Sequence, residues 1–356
     1  MITLNKNPAI GNIKEILVIR RDNIGDLVCT TPCFNTIKKN IPEARLAVFV
    51  NDYNMETIYR NPFVDSLYFY QKSKHSKNLL SKIKSLIKRA ITTYRLRQEN
   101  FDVVILAGSK FSRYALRSAK LIKPKYIISY GEEHEGSGVD YLLPPIPQDE
   151  AHEVEAVNKL LEPLGINSPP EKALVVPDQQ KVDNIQEWLR AEGINTTLKT
   201  IGIHISARET ERQWPTEKFA EFIQQISKTN NFNYLIFWAP GAPNDPHHPG
   251  DDDKAAFLKQ QIQNKQIAFC RTTGLSELIA GIACTDLMVC SDGGALHIAA
   301  GLGKPVLGFF ENNPNKTKHW YPWGVPHEIT TSEEYTVETI SVDAAVAAFN
   351  KLLHSL

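Results

Sequence analysis

Residues 288–305 read MVCSDGGALHIAAGLGKP. An apolar run ends in an aspartate and two glycines, a histidine follows, and small residues recur at helical spacing. A plain turn needs a glycine or two; it does not need a charge and an imidazole as well. The pattern predicts a buried strand over 286–292, a glycine turn, and a helix over 295–303. Gly293 and Gly294 let the backbone approach a ligand closely, and the amides that open the next helix favour an anion at the strand end. SDGG followed by a helix therefore reads as a phosphate cradle. His297 either faces the same phosphates or packs inside. Asp292 would repel a phosphate, so it either fixes the loop or contacts another part of the ligand.

The same alternation of short apolar runs and amphipathic stretches extends in both directions, which is the α/β pattern. Towards the N-terminus, strands are predicted at 200–206, 233–241 and 266–271, with helices at 216–229, capped by Thr216 after Pro215, and 276–285. Beyond the opening stretch come a strand at 305–311 and an amphipathic helix at 341–356. The first half shows strands at 15–20, 45–50, 66–70, 102–108 and 125–131 and a helix at 29–42. Residues 141–154 hold three prolines and read as the exit from a first domain, followed by a helix over 152–166 ending at Gly165. Two α/β halves, each opening with a strand and a glycine-bearing turn, predict two Rossmann-like domains with parallel sheets facing across a cleft. Ligands then sit at the carboxyl ends of strands. The boundaries predicted are 1–170 and 171–340, with the helix at 341–356 packing back on the first domain.

The chain has 356 residues, 40 Lys or Arg against 40 Asp or Glu, and a formal net charge of zero. A polyanion-binding chain would be basic overall, so nucleic acid is not an expected partner. None of the five cysteines (29, 33, 270, 284, 290) forms a CxxC pair, and all sit among apolar residues. They read as reduced core cysteines of a cytosolic protein. The opening MITLNKNPAIGN lacks an apolar segment of the kind a signal peptide carries, and no run of about 18 apolar residues suggests a membrane span.

Three further motifs lie at predicted strand ends. In RRDNIGDLVCTTP (20–32), Asp26 stands where a carboxylate can take a proton from an incoming hydroxyl, or can simply cap the following helix. GxGxxG is absent there, which argues against a nicotinamide cofactor. In HISARETERQWP (204–215), Arg208 and Arg212 suit a diphosphate through charge-assisted contacts, or pair with Glu209 and Glu211 in a solvated loop. In WAPGAPND (238–245), Asp245 is placed to bond a ribose hydroxyl, or belongs to a surface turn.

Two acidic or basic runs need separate readings. GDDDKAAF (250–257) resembles a metal site, but its position before a helix makes it the acidic first turn of that helix. His247 and His248 lack further ligand spacing. Residues 72–97 carry nine Lys or Arg and no acid, with Leu79, Leu80, Ile83, Leu86, Ile87, Ala90, Ile91 and Tyr94 at helical spacing. Either the apolar side of this helix packs on the first domain's sheet, or its basic side rests on anionic lipid or grips an acidic acceptor.

No motif decides alone, but their order does. Gly25-Asp26 and TTP follow the first strand. WP comes after a basic loop, then PGAP, and finally D-x-G-x-x-H-x-A-A-x-x-x-x-P over 292–305. This order resembles glycosyltransferase family 9, the ADP-heptose:lipopolysaccharide heptosyltransferases, over nearly the whole chain. The resemblance implies a GT-B fold whose first domain holds the acceptor and whose second binds the nucleotide sugar. It implies inverting, metal-independent transfer with no cofactor. Asp26 matches the general base. The donor site would comprise Ser206, Arg208, Arg212, Asp245, Asp292, Gly293, Gly294 and His297, with Arg212 where relatives carry a lysine and Asp245 at the nucleoside ribose. Gly293 replaces a threonine common in the family. Ser206-Ala207 stands where relatives often have hydroxyl residues, in a loop one residue longer than in some.

The leading expectation is a heptosyltransferase using ADP-heptose and a lipid-linked lipopolysaccharide inner-core acceptor. It would be cytoplasmic and peripheral at the inner face of the cytoplasmic membrane. The alternatives are a family 9 enzyme with another nucleotide sugar or a non-lipopolysaccharide acceptor, and a non-catalytic nucleotide-sugar-binding protein. The changes at Gly293 and Ala207 motivate the first of these; Asp26 argues against the second.

Overall fold

The predicted strands are predominantly apolar, as parallel strands covered on both faces are. In the computed structural model, which describes residues 13–71, 79–244, 250–262 and 266–356, they form two parallel sheets. The chain divides into two compact units, Met1–Leu174 and Val175–Leu356.

The first unit runs β1 (Glu15–Ile19), α1 (Ile24–Val28), α2 (Thr31–Asn40), β2 (Arg45–Asn51), β3 (Ser66–Tyr70), α3 (Leu79–Gln98), β4 (Val103–Leu106), α4 (Arg113–Ile122), β5 (Tyr126–Tyr130), β6 (Tyr141–Leu143) and α5 (Glu153–Lys159). Its sheet has the order β3-β2-β1-β4-β5-β6, with every pairing parallel. The chain moves outward from β1 to one edge, then crosses back to β4. The carboxyl ends of β1 and β4 therefore form the switch point where this topology leaves a crevice. Side chains alternate across the sheet: Ile16 and Val18 face one buried core with Phe34 and Leu160, while Leu17 and Ile19 face another with Leu116 and Ala119.

The second unit runs α6 (Gln179–Ala191), β7 (Thr200–His204), α7 (Thr216–Thr229), β8 (Asn233–Phe237), α8 (Asp252–Gln261), β9 (Ile267–Cys270), α9 (Leu275–Ala283), β10 (Leu287–Ser291), α10 (Gly294–Gly301), β11 (Val306–Phe309), α11 (Pro314–Trp320), β12 (His327–Thr330) and α12 (Val342–His354). The order β12-β11-β10-β7-β8-β9 is the same topology again, with the switch point between β7 and β10. Trp214 anchors the loop after β7. It is buried, its ring lies 4.6 Å from that of Phe309 and 4.8 Å from Phe219, and its indole N–H donates to the Ile340 carbonyl at 3.0 Å.

Several expectations are corrected. Asp26 lies in the first turn of a short helix, α1, where a glycine turn was expected; the main helix begins only at Thr31. The proline-bearing stretch after 140 does not leave the first unit: Tyr141–Leu143 adds a sixth strand, and α5 follows within the same unit. The helix expected to run to Gly165 ends at Lys159; a 3-10 turn follows, and Gly165 closes it at φ 79°. Thr216 does not cap α7: it is the first helical residue, and Pro215 occupies the cap position without a side-chain bond. The C-terminal helix, expected to return to the first domain, gives Val342, Ala345, Phe349 and Leu352 to the core of the second. These four recur at three- and four-residue spacing and meet α7, β11 and β12.

Candidate active site

The first cluster lies at the switch point of the first unit. Arg20 extends β1, its N–H bonding the Phe49 carbonyl at 3.1 Å. Its guanidinium is 2% exposed and reaches three carboxylates: Asp26 Oδ1 at 2.6 Å from Nη2, Glu153 Oε1 at 2.7 Å from Nη1, and Asp22 Oδ2 at 3.1 Å from Nε. Burial alone would lower its proton affinity. The charges of Glu153, Asp26 and Asp22 reverse this and hold Arg20 above its ordinary range. Glu153 is 1% exposed, and the start of α5 fixes it there. His152 Nδ1 accepts the Val154 N–H, and Glu155 accepts the His152 N–H, so the helix begins with a capping box. Gly108, after β4, leaves room for this arrangement: a Cβ there would lie 3.1 Å from Arg20 Nη1.

Asp26 does not cap the helix that follows at Thr31; it is the third residue of α1 and closes a capping box there. Its Oδ2 accepts the Asn23 N–H at 3.0 Å, which caps α1, while Oδ1 is held by Arg20. Its side chain is 17% exposed. The carboxylate is thus fixed in orientation and still reachable.

The second cluster lies at the switch point of the second unit. Asp292 follows β10 and is 6% exposed. Arg212 comes from the 3-10 turn between β7 and α7, two residues before the Trp214 anchor. Arg212 Nη1 stands 3.3 Å from Asp292 Oδ2, and its Nε donates to Glu311 Oε1 at 3.0 Å. Lys316, on α11, bonds the same Glu311 oxygen and stands 3.4 Å from Asp292 Oδ2. Two cations and two carboxylates therefore interlock, each orienting the others. Burial would lower the proton affinity of Arg212, but Asp292 and Glu311 raise it above the ordinary value. Burial would raise the Glu311 carboxyl, but Lys316 and Arg212 hold it below the usual carboxylate range. Glu311 Oε2 is buried and receives no side-chain hydrogen bond among the described residues.

The remaining predicted donor residues divide. Gly294 opens α10 as expected of a cradle, and Gly293 precedes it in extended conformation. A Cβ at Gly293 would meet only the Ser291 carbonyl, at 3.9 Å, so the protein leaves open the space that a side chain would take. His297 is buried within α10, 3.9 Å from Asp292 Oδ1 and edge-on to Trp320 at 5.8 Å. Ser206 accepts the Ala239 N–H at 2.8 Å, tying the ends of β7 and β8 together. Arg208 is not brought into the cluster: its side chain is 87% exposed and lies 3.9 Å from Glu209, as in the solvated reading. Asp245, His247 and His248 lie outside the described residues. Asp251 precedes α8 and Asp252 and Asp253 occupy its first turn, the capping position expected for that acidic run. Among the described residues no group of three or more His, Cys, Asp or Glu is arranged to hold a metal ion.

Arg20, Glu153, Glu311 and Lys316 were missed by sequence reasoning. Arg20 and Glu311 read as the last residues of strands, and Glu153 as one acid in a helix. The signal available was a charge at the end of an apolar run, which is weak alone.

The chain matches the family model for glycosyltransferase family 9 (heptosyltransferase) over residues 90–344. It is 21% identical to a putative glycosyltransferase of Haemophilus influenzae, over 97% of this chain and 98% of that one. It is 24% identical to lipopolysaccharide heptosyltransferase 3 of Escherichia coli K12, over 92% of this chain and 95% of that one. Among solved structures, the glycosyl transferase family 9 protein from Veillonella parvula superposes with a TM-score of 0.82 at 17% identity, covering 99% of this chain and 100% of that one. That likeness establishes the fold, GT-B with two Rossmann-like domains.

Proposed function

The chain belongs to glycosyltransferase family 9, and we propose that it is an inverting, metal-independent heptosyltransferase moving heptose from ADP-heptose to a lipid-linked inner-core saccharide of lipopolysaccharide. The observation that carries this reading is the pair of charged clusters at the two switch points. One presents a fixed carboxylate, Asp26, and the other presents two oriented cations, Arg212 and Lys316, beside the amides that open α10.

The chemistry divides between them. Asp26 accepts the proton of the acceptor hydroxyl. The freed oxygen bonds to the anomeric carbon from the face opposite the diphosphate, and the bond from that carbon to the diphosphate oxygen breaks. Charge then grows on the leaving nucleotide diphosphate, where Arg212, Lys316 and the α10 amides stabilise it. Asp292 and Glu311 keep both cations aimed before the donor arrives. Glu311 Oε2 is suited to accept a hydrogen bond from a donor hydroxyl. Asp245 is proposed at the ribose, as the family resemblance implies. The protein's place of action is proposed as the cytoplasmic face of the inner membrane, where such acceptors are built; among the described residues no helix is long and apolar enough to cross a membrane.

A second reading, another nucleotide sugar or a different acceptor, is favoured by the space at Gly293, where relatives commonly carry a threonine. Nucleotide release tests both. ADP-heptose, ADP-glucose, UDP-glucose, UDP-N-acetylglucosamine and GDP-mannose are offered with and without deacylated inner-core acceptor. Release of ADP from ADP-heptose alone, and only with acceptor, is expected. Release from another donor would retain the reaction class and reassign the sugar. Tight donor binding with no turnover on any acceptor, unchanged in Asp26→Asn, would point to a binding protein.

A further inference from the structure

The chain is electrically neutral as a whole, yet its charge is segregated. Residues 72–97 hold nine Lys or Arg without an Asp or Glu; residues 103–131 hold six more, again without one. Within the described part of these stretches lie α3 and α4, which pack against each other in the first unit. Lys125 is spent on Asp102, at 2.6 Å. By contrast Arg21 and Arg89 crowd one ring, with guanidinium carbons 4.6 and 5.5 Å from the Tyr70 centroid. Neither is paired with a carboxylate among the described residues. Burial and the nearby charges of Arg21 and Arg117 lower the proton affinity of Arg89, as expected where cations gather without compensation.

Large apolar side chains stand out of this basic surface. On α3, Ile87 is 53% exposed, Ile91 47% and Tyr94 65%. At about 100° per residue these three fall within about 60° of arc. The buried Leu96 lies on the opposite side, so α3 faces its own domain with one side and turns an apolar ridge outward. Lys88 and Arg95 lie along one side of the ridge and Arg97 along the other, all three exposed. Tyr114 and Leu121 on α4 repeat the pattern at 72% and 55% exposure, with Arg117 exposed between them. The expectation that the apolar side of the basic helix packs on the sheet is thereby corrected for Ile87, Ile91 and Tyr94.

We propose that α3 and α4 form a docking surface for an anionic bilayer. Ile87, Ile91, Tyr94, Tyr114 and Leu121 would enter the headgroup boundary, and Lys88, Arg95, Arg113 and Arg117 would meet lipid phosphates. An apolar ridge rimmed by cations, with no acid in either helix, matches such a surface in both hydropathy and charge sign. Tyrosines at the rim suit an interface that is apolar on one side and wet on the other. The surface goes beyond the transfer reaction and does not depend on which sugar is moved.

The test is flotation of the full chain with vesicles of phosphatidylcholine alone and of equimolar phosphatidylcholine and phosphatidylglycerol, at low and at physiological salt. The unaltered chain is expected to float with the anionic vesicles only, less so at higher salt. Ile87→Ser/Ile91→Ser/Tyr94→Ser should lower partitioning by about 100-fold, from the lost apolar contacts. Lys88→Gln/Arg113→Gln/Arg117→Gln should lower it by about 10-fold or more and flatten the salt dependence. Unchanged thermal melts serve as fold controls, and donor-dependent nucleotide release separates failure here from failure of the proposed reaction. The proposal is overturned if the unaltered chain ignores anionic vesicles, or if both variants float as it does. It is equally overturned if light scattering shows a dimer that the apolar substitutions dissociate, since the ridge would then belong to a second copy.

Discussion

Arg20 Nη2 stands 2.6 Å from Asp26 Oδ1, while Nη1 of the same guanidinium holds the buried Glu153 at 2.7 Å. A carboxylate on α1 is thus oriented through an arginine from β1 by a second carboxylate on α5. With Oδ2 engaged by the Asn23 amide, Asp26 has little rotational freedom left. Such restraint is what a proton acceptor needs, because proton transfer depends on a heavy-atom distance held near 3 Å.

Asp26→Asn keeps the shape and removes the basic oxygen. Turnover should fall by about 10²-fold or more, the usual scale for losing a general base, with donor affinity nearly unchanged. Steady-state rates and donor titration by calorimetry measure the two separately. Lost donor binding with turnover per bound donor preserved would falsify the assignment.

Arg20→Met takes from the buried Glu153 the guanidinium that stands 2.7 Å from its Oε1. Breaking a buried pair from one side typically costs about 3–5 kcal/mol. The double variant Arg20→Met/Glu153→Gln should recover part of that loss, seen as a rise in the urea midpoint. If single and double variants unfold at the same midpoint, the two residues are not coupled.

Arg212→Ala and Lys316→Ala each remove a charged donor from the second cluster. A charge-assisted hydrogen bond contributes about 1.5–3 kcal/mol, so donor KM should rise by about 10-fold or more. Turnover at saturating donor should fall as well, because both cations also meet the charge that grows on the leaving diphosphate. The Lys316 variant is the sharper check, since that residue was absent from the sequence reading; an unchanged donor KM would remove it from the site.

The Asp102 carboxylate clamps the starts of neighbouring strands. It accepts the N–H groups of Lys14 at 2.8 Å and Glu15 at 3.0 Å and pairs with Lys125. Burial would raise its pKa, but the Lys125 bond and the two amides bring it below the ordinary value. A depressed carboxyl contributes stability above the unfolded pKa, near ~4, and that contribution is lost as pH falls through the folded value. Thermal midpoints should therefore hold above about pH 5 and fall below about pH 4, with a shallower fall in Asp102→Asn. Identical slopes in the two proteins would show that Asp102 does not contribute.

Where the apolar pattern was unbroken, the sequence was legible. The strand predicted at 66–70 is β3 at Ser66–Tyr70, and DLMVCSD contains β10 at Leu287–Ser291. The opening SDGG does lead into a helix, beginning at Gly294. Short or half-buried elements were not legible. The three residues of β6 at the sheet edge and the seven of α11 leave too brief a period to register. The site was legible in part: Asp26 and Arg212 lie in the connections that follow β1 and β7, and Asp292 directly follows β10. Arg208, four residues before Arg212 and of the same type, points into solvent. Nothing in the local spacing separates the two; the burial of Trp214 does, since it holds the adjacent turn against the sheet.

Taken alone, the sequence determined the α/β class, the doubled Rossmann pattern and the strand ends where chemistry could collect. Those follow from local periodicity and from backbone preferences that act over a few residues. Tertiary structure alone decided which charges meet. Arg20 and Glu153 are 133 positions apart, and Arg212 and Glu311 are 99 apart. Such contacts come from sheet order and helix placement, which bring distant strand ends to one switch point. Tertiary structure likewise decided that the ridge on α3 faces outward. An amphipathic sequence shows that a helix has an apolar side, but only the packed neighbours show whether that side is covered.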